Sequence, residues 1–88
     1  MESVEVNVRV KVLVLYSIES DIAKSARPAK MIYHGREIVF TELGLYHPAK
    51  RGAKMIHVFD MSDGESDYRL ELDAERLSWT LVSIGAVQ

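Results

Sequence analysis

Three histidines, His34, His47 and His57, are the residues of this 88-residue chain best suited to acid–base chemistry or metal ligation. Imidazole titrates near neutrality and binds zinc well. Their separations match no compact ligand pair, and each has a plainer setting: His34 in a turn, His47 before Pro48, His57 in an amphipathic strand. Asp60, Asp63, Glu65 and Asp67 surround Gly64 at near-alternate spacing, as acids do in a calcium loop. The fixed ligand positions and distal glutamate of that loop are missing, so an ordinary hairpin turn is expected. Serine, threonine and aspartate occur without a Gly-x-Ser-x-Gly elbow or a phosphate-cradling glycine loop. Cysteine is absent, which removes thiol nucleophiles, disulfides and thiolate-bound zinc. No catalytic residue, metal or cofactor is expected, and the chain reads as non-enzymatic.

One local excess of positive charge stands out. Lys50, Arg51 and Lys54, with Arg36 and His47 as candidate neighbours, could hold phosphate or a nucleic-acid backbone, and Tyr46 offers a ring for stacking. The formal net charge of −2 and the 8% aromatic content argue instead for a solvated loop guarding a sheet edge. Phe59, Tyr68 and Trp79 could line a pocket. In so small a domain they are expected to form the core itself.

The elements that must position these residues are strands. Val4, Val6, Val8, Val10, Val12, Val14, Tyr16 and Ile18 form an unbroken apolar row at period two. The odd positions between them start polar and turn apolar at Leu13 and Leu15. Such alternation is a long β-strand, and β-branched valine suits it. Over residues 17–27, Ile18, Ile22 and Ala26 fall at helical spacing and Ser17 or Ser20 could cap, which predicts a short helix or an irregular crossover, stopped by Pro28. Ala29–Tyr33 and Ile38–Leu43, the second arm running on toward Tyr46, predict a hairpin with its tip at His34-Gly35. Gly44 would permit a bulge, and residues 47–54 read as a loop around Pro48 and Gly52. Met55–Asp60 is apolar on both faces, as in a central strand. Tyr68–Asp73 is half-buried. In the last strand, Leu77–Ile84, the apolar side changes, which predicts a twist or bulge near Leu81.

Together these make one domain, residues 1–88, mainly β: a six-stranded antiparallel meander forming a small barrel or open sandwich. From Pro28 to Leu81 the layout resembles a family of small uncharacterised bacterial β-proteins known only as a domain of unknown function. The resemblance rests on the run Met31-Ile32-Tyr33-His34-Gly35-Arg36-Glu37-Ile38-Val39 and on Tyr68-Arg69-Leu70 followed by Trp79-Thr80-Leu81. It implies a fold type and transfers no catalytic residue; the valine-rich first strand lies outside it.

No basic start or long apolar run marks an export signal or membrane helix, so a cytoplasmic chain is expected. The first strand carries the functional expectation. At roughly 3.3 Å per residue its ~43 Å far exceeds an ordinary strand. Either it bends and serves two sheet faces, or it pairs with a neighbour's strand. Leu13 and Leu15 suggest burial of its C-terminal half on both sides, leaving Val4, Val6, Val8 and Val10 to reach a partner. The expected function is a self-associating interaction module, a homodimer through this strand, with another protein as partner also open. Nucleic-acid or anionic-ligand binding through Arg36, Lys50, Arg51 and Lys54 is the alternative.

Overall fold

Alternation of β-branched and polar residues does produce strands. The computed structural model describes residues 3–16 and 26–86, and it holds one antiparallel sheet. The strands are β1 (Ser3–Tyr16), β2 (Ala26–Tyr33), β3 (Arg36–Val39), β4 (Glu42–Arg51), β5 (Lys54–Ser62), β6 (Ser66–Asp73) and β7 (Ser78–Ala86). Their order across the sheet is β3-β2-β1-β7-β6-β5-β4, and the sheet does not close. Strands among the described residues number seven, not six. The chain breaks at Phe40-Thr41, where Phe40 N–H donates to Ala29 and Thr41 N–H to Ser62. One expected arm thus becomes two strands on opposite edges of the sheet.

The segment 47–54 is not a loop. β4 runs through His47, Pro48 and Lys50 to Arg51 and turns back at Gly52-Ala53. Pro48 is tolerated because β4 is an edge strand, where a missing N–H need cost no ladder bond. The helix or crossover expected near 17–27 falls mostly outside the described residues. Ala26 and Arg27 belong to β2, and Pro28 sits buried within that strand at a slip in its register with β1, between Leu13 and Val14. Nor is the topology a single meander. Two meanders, β1–β3 and β4–β7, are joined when β7 returns to pair with β1.

The sheet curls so that core-facing residues of both meanders meet. Met31 and Ile38 share a cluster with Phe59, Met61, Leu70, Trp79 and Leu81. Phe59 and Trp79 pack at a ring separation of 5.5 Å, and Phe40 meets Tyr68 edge-on at 5.6 Å. The three aromatics are core.

Local irregularities make the curl. Gly44 is an extra residue opposite Met61-Asp60, the bulge its type allows. Val82 is an extra residue on β7 opposite Arg69-Leu70, which turns the inward set from Ile84 to Leu81 and Trp79. That is the change of apolar side visible in the sequence. A further slip on β1 between Glu5 and Val8 contains Asn7, whose φ is 52°, a left-handed value asparagine tolerates. The second slip restores parity, so Val4, Val8 and Val10 face the core side opposite Ile84, Leu81 and Trp79. The hairpin tip falls at His34-Gly35, both at positive φ (53° and 73°), as a primed turn requires.

Candidate interaction site

β1 is shared between two neighbours, each taking half. Val4–Val10 pairs with β7, and Lys11–Tyr16 pairs with β2 on the other side of the strand. The strand therefore serves two parts of one sheet, with a different neighbour beside each half. Each half keeps one backbone edge with no strand beside it among the described residues. Along Ser3–Val10 this open edge lies opposite β7.

Side-chain burial follows from that arrangement. Val6, Val10, Val12 and Val14 pack against the core, whereas Val4 is 67% exposed and Val8 38%. Both valines face the core side, yet among the described residues no strand beyond β1 covers them. On the outer face lie Glu5, Asn7 and Arg9, all exposed, with Asn7 Nδ2 donating to Glu5 Oε2 at 3.3 Å. The C-terminal half corrects an expectation. Leu13 and Leu15 are 52% and 59% exposed, so that half is not buried on both sides. They lie on the sheet's outer face, where a three-stranded section has no second layer of described residues.

The cationic cluster takes a different form from a basic loop. Arg51, at the end of β4, reaches across β5 and donates from both terminal nitrogens to the two Glu71 oxygens of β6, at 2.5 Å each. This hydrogen-bonded carboxylate raises the Arg51 pKa. Lys54 Nζ donates to Asp73 Oδ2 at 2.9 Å. Lys50 alone of the three has no carboxylate partner among the described residues. Arg36 is not brought to them. Its charge acts on the Tyr68 hydroxyl, at the opposite end of β6 from Asp73. Glu71 and Asp73 were not singled out in the sequence, although their alternation on a half-buried strand places both on the face that meets β5's outer side.

The remaining candidates are likewise occupied. Asp63 accepts the backbone N–H groups of Glu65 and Ser66 at 2.9 and 2.8 Å and the Tyr68 hydroxyl at 2.9 Å. Burial opposes its ionisation, but these hydrogen bonds outweigh it and hold the carboxyl below its ordinary range. Asp60 takes two hydrogen bonds from Arg69, at 2.8 and 3.0 Å. The acids around Gly64 thus form a hairpin turn. His57 shares a 2.7 Å hydrogen bond with the Tyr46 hydroxyl, and His34 stacks on Tyr33. His47 pairs with Val58 and His57 with Pro48, so these two histidines project from opposite faces of adjacent strands. Among the described residues no group of three His, Asp or Glu is placed to hold a metal.

No family model, curated protein or solved structure matches the chain. Tyr68 and Trp79 open onto different grooves, so they do not frame one pocket. No described helix is long and apolar enough to cross a membrane. Among the described residues, the N-terminal half of β1 keeps an open edge beside the exposed Val4 and Val8.

Proposed function

We propose that this protein is a small, non-enzymatic β-rich interaction module that self-associates through the N-terminal half of β1, as a cytoplasmic homodimer. The observation that carries the reading is the exposure of Val4 and Val8 beside a strand edge that β2 leaves free from Ser3 to Val10. An open edge lined with β-branched residues is a template for another strand. In the finer description of the fold, the curled seven-stranded sheet is an open sandwich whose missing edge neighbour is a second copy.

Anion or nucleic-acid binding has less support. Two of its four cations are held by Glu71 and Asp73, and Arg36 stands at the other end of β6.

Multi-angle light scattering over a concentration series tests the proposal. A mass that rises toward twice the chain mass, and falls back with Val4→Lys, is expected. A monomer at every concentration would overturn the proposal.

A further inference from the structure

A second copy can lie along the free half-edge in only a few registers, and charge selects among them. This step rests on the self-association proposed above. The free stretch ends at Val10, because Lys11 already pairs with Ile32 of β2. Valines must meet valines, so even-numbered positions pair with even, and the stretch then centres on Val6 or Asn7. Parallel pairing in register would set Glu5 against Glu5 and Arg9 against Arg9, like charges directly opposite. Antiparallel pairing centred on Val6 would set Glu5 against Asn7 and leave Arg9 facing Ser3. Centred on Asn7, it sets Glu5 against Arg9 twice, with Val4 against Val10 and Val6 against Val8.

The kink at Asn7 points to the same centre. A bulged edge ordinarily repels a regular strand, which finds one residue too many opposite it. An identical strand running the other way, with its own Asn7 on the two-fold axis, carries the matching irregularity. The edge therefore discriminates in favour of a copy of itself.

We infer that two copies join antiparallel along Val4–Val10, Asn7 meeting Asn7 on the two-fold axis and Glu5 of each copy facing Arg9 of the partner subunit. The joined sheet runs from β4 to β1 in one copy and on from β1 to β4 in the other. Each Glu5 carboxylate, already accepting from Asn7 within its own chain, gains a cation across the interface. Glu5 and Arg9 are exposed and lie opposite Ser83 and Thr80 on β7, so exchanging their charges breaks no ion pair among the described residues.

Sedimentation equilibrium on the full chain tests this with Glu5→Arg, Arg9→Glu and the variant carrying both changes, each checked for fold by circular dichroism. Either single change turns two attractive contacts per dimer into two repulsive ones, and is expected to raise the dimer dissociation constant about tenfold or more. The combined variant restores both contacts with their signs exchanged and is expected to return to within about threefold of the wild type. A dimer whose affinity ignores the single changes, or that the combined variant fails to restore, overturns the register and leaves self-association standing. A wild-type chain that stays monomeric throughout overturns the self-association beneath it as well.

Discussion

The Arg51 guanidinium spans β5 to grip Glu71 of β6 through two parallel hydrogen bonds of 2.5 Å. Glu71 lies opposite Val58, and Arg51 leaves β4 opposite Lys54, so the arginine stem passes over Ile56 between them. Ile56 and Val58 are buried although they lie on the face of β5 opposite Phe59, and Val58 is only 3% exposed. Charged side chains with long apolar stems can cover such a stripe while keeping their heads in water. The register thus places the Arg51 stem where it can cover part of this aliphatic stripe.

Arg51→Ala is accordingly expected to lower stability by about 1 kcal/mol, through lost cover as well as a lost ion pair. Arg51→Lys should recover only part of it, because an ammonium cannot make the paired contacts. Urea unfolding of the two variants checks this. Fluorescence anisotropy with a random oligonucleotide is expected to show no binding that either change weakens.

The turn between β5 and β6 depends on Tyr68 and Asp63. Tyr68→Phe keeps the ring against Phe40 and removes only the hydroxyl, with an expected cost of about 1 kcal/mol. Asp63→Ala should cost more, since two backbone N–H groups lose their acceptor as well. Chemical denaturation of both variants at neutral pH gives the comparison.

Those contacts also set a pH dependence. The Asp63 carboxyl is held below its ordinary range, and so is that of Asp73, chiefly by the hydrogen bond from Lys54. A lowered folded-state pKa means stability that is complete above the unfolded carboxylate value, near 4, and is lost as pH falls through the folded value. Burial, followed by the Asp63 carboxylate, raises the Tyr68 pKa. Its contribution is complete below the unfolded phenol value, about 10, and is lost as pH rises through the folded one. Urea midpoints measured across pH should fall at both ends. Asp63→Asn should flatten the acid limb.

Leu77 is 79% exposed and sits at φ 53° in the turn between β6 and β7. A branched, bulky residue pays for that left-handed backbone and here buries little in return. Leu77→Asn is expected to raise stability by roughly 0.5–1 kcal/mol, read as a higher thermal midpoint.

What the sequence made legible was local. The valine row, the His34-Gly35 tip, the Gly44 bulge and the change of side near Leu81 each follow from neighbouring residues, and each stands in the structure. Contacts between distant segments were not legible. The return of β7 to β1 sets the order of the whole sheet, yet leaves no mark within either strand. The break at Phe40-Thr41 is made by hydrogen bonds to Ala29 and Ser62, far along the chain. Pro48 reads as a stop unless β4 is known to be an edge. Leu13 and Leu15 suggested a buried face by type, but no described element covers that face. The candidate cations were visible, whereas their pairing with Glu71 and Asp73 depended on cross-strand register.

A second copy on the free edge of β1 would shield that edge's backbone amides from solvent. Amide hydrogen exchange, followed residue by residue by NMR from micromolar to millimolar protein, tests it most directly. Protection is expected to rise with concentration at amides of Val4–Val10 that point away from β7, while amides of β5 and β6 hold constant. Exchange along Val4–Val10 that is the same at every concentration would contradict it.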